Sequence, residues 1–311
     1  TTVIDLLQRD SINMFPENWS MISDYIAQHW DDFDGFVVAH GTDTLAYTAS
    51  AVAMMLGRIN KPVVFTGAQT EMNTLHGDAR SNLLRACFVA AHPDAPWEVQ
   101  ICFGDLVLRA VRAEKKDDQL FEGFHSPTFP PLARVSERLL VNKRLRLKGD
   151  APDKPNYRSQ LATRIMMIPF VPGMRTEYFF DILQQSINGN TPPIEGIVIS
   201  TPGGNIPTIE PYNYRPLIQN AVANRIPVII TSPMPIDPTA TALFRDEIVP
   251  TQYGAIRTGY LTSPAMLAKV TWVIGQTLQE ETADPDLLSH RMERVKDKMA
   301  INYVGEEGDS Y

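Results

Sequence analysis

A chain of 311 residues with 44% hydrophobic residues and a formal net charge of -8 can bury one large core or two medium ones, and two domains are expected. The acidic balance argues against a nucleic-acid surface, which needs a concentrated positive patch, and no apolar run is long enough to cross a bilayer. Two cysteines, Cys87 and Cys102, cannot build a disulfide framework or a four-cysteine metal site. They read as reduced core thiols of a cytoplasmic protein, and the scattered histidines show no metal-ligand spacing.

Taken in chain order, residues 3–7 predict a short strand, 16–30 a helix with Pro16 in its first turn, and 35–40 a buried strand. A helix over 44–57, a strand over 62–66, a helix over 78–92 and a strand over 99–103 follow. Such alternation predicts an α/β fold built on a doubly wound, mostly parallel sheet. From about residue 134 the pattern breaks, and Lys148-Gly149-Asp150-Ala151-Pro152 marks its most turn-rich part. The basic cluster here, Arg134, Arg138, Lys143, Arg144, Arg146 and Lys148, is interleaved with Leu and Val and reads as a solvated strand or linker.

Strands over 165–169, 196–200 and 227–231 then alternate with helices over 177–188 and 214–224, a second, smaller α/β domain. The expected division is 1–140 as the N-terminal domain, 141–164 as connection and 165–311 as the C-terminal domain. Residues 305–310 read as a loose acidic tail.

The chemistry concentrates in turns after predicted strands. Val37-Val38-Ala39-His40 runs into Gly41-Thr42-Asp43 and then an Ala-rich helix. In an open parallel sheet, ligands bind at the carboxyl ends of strands. A hydroxyl beside a carboxylate there suits a small polar substrate, although Thr and Asp also cap helices well. Asp10-Ser11, Thr66-Gly67-Ala68-Gln69 and the Arg109-to-Lys115 stretch follow the first, third and fourth predicted strands, so they should line the same crevice. Lys115 sits in the charged run Glu114-Lys115-Lys116-Asp117-Asp118, which by itself reads as solvated surface. Thr1 offers one further reading, an N-terminal nucleophile with its own amine as base. That chemistry belongs to a four-layer fold with antiparallel sheets, which this alternation does not match.

Several of these segments together resemble one family. His40-Gly41-Thr42-Asp43-Thr44, with Lys61-Pro62-Val63-Val64-Phe65-Thr66-Gly67-Ala68-Gln69, is similar to the bacterial-type L-asparaginases, especially their cytoplasmic type I branch. Asp10-Ser11-Ile12-Asn13-Met14, Arg109 to Lys115, and Ser126-Pro127-Thr128-Phe129-Pro130-Pro131-Leu132 match further family motifs in order. The resemblance implies hydrolysis of the side-chain amide of L-asparagine to L-aspartate and ammonia by a threonine nucleophile, without a cofactor or metal. It implies that Thr42 supplies a hydroxyl beside the amide and that Lys115 is its proton partner. Asp43 would bind the substrate α-amino group and steady the lysine, Ser11 would hold the α-carboxylate, and the Ala68 carbonyl would receive the amide. Gln69 reads as ordering its turn. A partly buried lysine is expected to have a lowered pKa, limited by the neighbouring carboxylate. Backbone N–H groups at Thr42 could serve an oxyanion.

The resemblance also implies a homodimer or homotetramer, in which Asn205 and Glu247 reach the site of a neighbouring subunit. Departures are visible as well. The family's first motif, Thr-Gly-Gly-Thr-Ile, which supplies the primary nucleophile, is absent from the sequence, as is the mobile loop after it, and an upstream segment carrying both is expected. Ile12 stands where many members have Gln or Ser, and Ala110 and Val111 replace Gly and Asn. Two alternatives share the fold: an ammonia-generating subunit of Glu-tRNA(Gln) amidation, and a non-catalytic amino-acid-binding paralogue.

Overall fold

The computed structural model describes residues 1–233 and 250–307. These fall into two compact units. The first comprises 1–159 with 262–268 and 303–307, and the second 160–233, 250–261 and 269–302.

In the first unit, β1 (Phe36–Ala39), β2 (Val63–Thr66) and β3 (Val99–Phe103) are parallel and adjacent. All four β2 residues and all five β3 residues are buried. That is the near-continuous apolar character a strand needs when both sheet faces are covered. Three helices accompany these strands: α1 (Pro16–Gln28), α2 (Leu45–Leu56) and α3 (Ala79–Ala91). Ala86 and Val89 of α3 pack with Val64 and Cys102, so small residues on the helix allow close approach to the sheet. The predicted helices and strands over 16–103 thus stand within one or two residues of their expected ends.

Antiparallel strands then extend this sheet: β4 (Leu106–Arg109), β7 (Ala133–Val135) and β8 (Leu139–Val141), in the order β1-β2-β3-β4-β7-β8. A separate ribbon pairs β5 (Glu114–Lys115) with β6 (Phe124–His125). The basic stretch is therefore partly strand, and several of its cations are neutralised: Arg134 by Asp105 at 2.6 Å, Lys143 by Asp94 at 3.2 Å. The 146–159 segment stays with the first unit, anchored by Trp30 Nε1 donating to Asp153 O at 3.1 Å and Arg158 N to Met55 O at 2.9 Å.

The second unit is a fully parallel four-stranded sheet in the order β12-β11-β10-β9. Its strands are β9 (Ile165–Pro169), β10 (Gly196–Ser200), β11 (Val228–Thr231) and β12 (Ile256–Arg257). Leu183 of α4 (Glu177–Ile187) and Leu217, Ile218 and Ala221 of α5 (Arg215–Ala223) join Ile197, Ile199, Val228 and Ile230 in its core.

Two expectations fail. Residues 3–7 form no strand: Val3 and Ile4 are 88% and 49% exposed, and without a sheet to receive them β-branched side chains do not specify a strand. The acidic C-terminal stretch is not loose through residue 306. Glu306 is fully buried and accepts the Tyr303 and Val304 N–H groups, while Arg112 Nε donates to Gly305 O at 2.8 Å.

Candidate active site

The carboxyl ends of β1 and β2 carry two turns in contact. Because Ala39 pairs with Thr66, the chain leaves both strands at one level. Gly67 then passes so near the first turn that an added Cβ would lie 2.4 Å from His40 O. Likewise, a Cβ on Gly41 would lie 2.8 Å from Ser11 Cβ and Oγ. Only glycine permits either approach. Ser11 itself is buried, in a 3₁₀ turn (Ser11–Asn13) whose Ile12 N–H is received by Asp10 Oδ1 at 3.2 Å.

The Gly41-Thr42-Asp43 turn does not cap α2 as the sequence suggests. The cap residue is Thr44, it makes no side-chain cap bond, and its hydroxyl donates to Ser11 O at 2.5 Å. Thr42 and Asp43 turn instead to Lys115. Lys115 Nζ donates to Thr42 Oγ1 at 3.0 Å and Asp43 Oδ1 at 2.6 Å. Thr42 Oγ1 in turn donates to Gln69 Oε1 at 3.5 Å, so its proton has an acceptor besides the lysine. Side chains that local rules would spend on the helix terminus are committed to one another.

Lys115 reaches this point by a route the strand pattern did not indicate. The stretch after 103 is not a crossover turn: Gly104, at φ +58°, closes a hairpin into β4, which runs back so that Arg109 pairs with Gln100. Arg109 therefore sits away from the carboxyl end of β3, in a buried ion pair with Glu98 at 2.5 Å. Ser50, midway along α2, donates to Ala110 O at 3.2 Å, and five residues on Lys115 meets the turn that precedes the helix. Of the residues at the ends of this stretch, the structure brings Lys115 to Thr42 and gives Arg109 a core role.

The Lys115 side chain is only 16% exposed, so it is not the solvated surface residue its charged run implies. Nor is its pKa lowered. Burial works against the charge, but hydrogen bonds and charge from Asp118 and Asp43 outweigh it, and the pKa rises above the usual 10.5. Burial lowers the pKa of His40, whose Nδ1 lies 2.7 Å from Gly41 O, and keeps that imidazole neutral at pH 7.

Ala68 lies half-buried on the β2 turn beside Gln69. That turn is ordered by a residue the sequence reading passed over. Asp78, 5% exposed, accepts Gln69 N at 3.0 Å, Thr70 N at 3.1 Å, Thr70 Oγ1 at 3.0 Å and Asn82 Nδ2 at 3.0 Å. Asn82 also donates to Gly67 O and receives Gly104 N. An Asp and an Asn four apart on one helix face were the available signal. Asn205 belongs to the second unit, after β10, beside two left-handed glycines, Gly203 and Gly204 at φ +67° and +73°. Glu247 lies outside the described residues. Among the described residues no group of three or more His, Cys, Asp or Glu is arranged to hold a metal ion, and no helix is long and apolar enough to cross a membrane.

Fold and site together define a two-unit α/β protein with a threonine, a lysine and carboxylates gathered at the carboxyl edge of its first sheet. The family model described as "Asparaginase, N-terminal" matches residues 2–147. L-asparaginase 1 of Escherichia coli (strain K12) is 30% identical over 280 residues, covering 88% of this chain and 78% of that protein. The 60 kDa lysophospholipase of Mus musculus is 32% identical over 268 residues, covering 86% of this chain and 46% of that one, so the chain spans about half the length of the mammalian relatives it matches. Among solved structures, the thermostable L-asparaginase from Thermococcus kodakarensis superposes with a TM-score of 0.82 at 27% identity, over 99% of this chain and 86% of that one. The chain belongs to the asparaginase family.

Proposed function

We propose that this protein is an amidohydrolase that releases ammonia from the side-chain amide of L-asparagine, with a threonine as nucleophile. The observation that carries this reading is the Lys115 Nζ to Thr42 Oγ1 contact of 3.0 Å, made at the carboxyl edge of the sheet with Asp43 alongside. A hydroxyl bridged to a lysine is the pairing that nucleophilic attack on an amide uses, because a proton must leave the oxygen and another must reach the departing nitrogen. Ser11, buried beneath Gly41, is suited to an α-carboxylate and Asp43 to an α-amino group. Ala68 lies on the same turn pair, and its carbonyl is assigned to receive the amide. Family membership supports the same chemistry, and the chain's two unpaired cysteines suit a cytoplasmic setting.

We further assign Asn205 and Glu247 to completion of a neighbouring subunit's site in a homodimer or homotetramer. Light scattering on dilute protein tests this: activity lost on dissociation is expected, and a fully active monomer contradicts it.

Assay of the full-length protein with L-asparagine tests the main proposal. Equimolar aspartate and ammonia are expected, with both products lost in Lys115→Met. Absence of turnover by the wild type, or an unaffected variant, contradicts it.

A further inference from the structure

An ammonium has three donors and a neutral amine two. Lys115 Nζ has three oxygen partners: Asp43 Oδ1 at 2.6 Å, Asp118 Oδ1 at 2.7 Å and Thr42 Oγ1 at 3.0 Å. All three are satisfied only by the charged form. A neutral lysine leaves one oxygen without its proton and sets a lone pair against it. The resting site is thus complete as an ammonium, and Lys115 must release a proton before it can take one from Thr42.

The three partners are not equivalent. Thr42 and Asp43 are fixed by the turn after β1, and the proposed substrate would claim Asp43 with its own α-ammonium. Asp118 stands on the loop after β5, three residues beyond Lys115, with its side chain 85% exposed. The loop is nonetheless built. Gln69 Nε2 donates to Asp117 O at 2.9 Å and Leu120 O at 3.0 Å, and Asp117 Oδ1 receives the Gln119 and Leu120 N–H groups at 2.7 Å. Gly123 leaves room for this glutamine, since an added Cβ would come within 2.7 Å of Gln69 Nε2. The residue that accepts the Thr42 hydroxyl therefore also fixes the loop that presents Asp118.

We propose that Asp118 is a positioning residue that holds Lys115 in its ammonium form between turnovers and is the carboxylate left to it when a substrate ammonium occupies Asp43. This rests on the amidohydrolase reading. The other charges around the lysine have partners of their own: Glu114 faces His125 at 3.7 Å across the ribbon, Lys116 faces Glu122 at 3.6 Å, and Asp117 caps its loop. Burial, and after it the charge of Glu114, raises the pKa of Tyr47 on α2, which stays neutral well above pH 7. Asp118 is therefore the exposed group whose removal changes the lysine without disturbing Thr42 or Asp43.

The test is an NMR titration of full-length protein carrying ¹³C-lysine, with the Lys115 signal assigned by its loss in Lys115→Met, alongside kcat/KM against pH. In Asp118→Asn the Lys115 midpoint should fall by roughly half a pH unit, the scale of an exposed ion pair. At pH values below the midpoint kcat/KM should then rise about threefold, because the deprotonated fraction grows tenfold per unit. Asp118→Glu should restore both. High salt should lower the wild-type midpoint in the same direction, a check that needs no variant. An unchanged midpoint in Asp118→Asn overturns the proposal, as does an unmoved pH profile with reduced kcat, which would make Asp118 only a structural anchor. A shifted midpoint in a protein without asparagine turnover would uphold the role of Asp118 and defeat the amidohydrolase reading, so the two failures are separable.

Discussion

The first sheet is mixed and the second parallel, but both place turns at the carboxyl ends of parallel strands, and the turns have different chemistry. At the carboxyl edge of the first, Thr42, Asp43, Gln69, Lys115 and Asp118 form a connected set of donors and acceptors. At that of the second, the segments after β9 and β10 border a groove of about 750 Å³ lined largely by Phe170, Val171, Met174, Ile206, Ile209 and Tyr212, with Asn205 among them. Parallel strands make a crevice in either case, and the side chains decide what it can do. The groove at the second edge is largely apolar, and the proton-handling groups lie at the first.

The contrast can be broken most severely at Lys115. Replacement by Met should lower kcat about 10³-fold, within the range for loss of a general acid–base group, while thermal unfolding stays near the wild type. An equal loss of stability would show that the lysine mainly supports the fold.

Next comes Asp78, which accepts four hydrogen bonds from the turn and helix behind the site. Asp78→Ala leaves buried donors unpaired and should cost about 3 kcal/mol, lowering Tm by roughly 6–12 °C for a unit of this size, with a higher KM. A Tm within a degree of the wild type would show that the turn holds itself.

At the second edge, Gly204→Ala should cost about 1–2 kcal/mol, since φ is +73° and the new Cβ would lie 3.2 Å from the Arg257 guanidinium. Gly203→Ala should cost less, because nothing lies within 4 Å of its Cβ and only the backbone penalty remains. Denaturant unfolding of the pair checks the order, and a reversal would mean that Arg257 yields freely.

The smallest expected effect concerns pH. The folded Lys115 pKa is raised above 10.5, so its stabilisation is fully present below that value and is lost as pH rises through the higher folded one. Asp118→Asn should therefore lower Tm slightly at pH 7 and not at all above the folded midpoint. A difference that grows with pH would contradict the raised value.

Much of this was legible in the residues. The parallel strands announced themselves as apolar runs, and glycines beside Thr42 and Ala68 marked the places where two turns touch. What escaped was non-local. Gly104-Asp105 sits inside one long apolar run, and nothing in that run says that the chain doubles back before delivering Lys115 to the turn ahead of α2. The charged run around Lys115 looks solvated because its burial comes from Thr42 and Asp43, some seventy residues away. Asp78 only opens a predicted helix in the sequence, and its partners appear once the turn after β2 has folded against it. Residues 3–7 have strand composition, but composition supplies no neighbour. The expected fall in the lysine's pKa failed for a similar reason: Asp118 was seen as a surface charge rather than a partner.

The central claim is that the Thr42 hydroxyl, bridged to Lys115, takes part in breaking the amide. Comparing kcat/KM for L-asparagine in Thr42→Val and Thr42→Ser full-length protein tests it most directly, since valine keeps the shape and removes the oxygen while serine keeps the oxygen. The account predicts a loss of at least about 10²-fold for valine, with serine within about tenfold of the wild type. Wild-type turnover in Thr42→Val would contradict it.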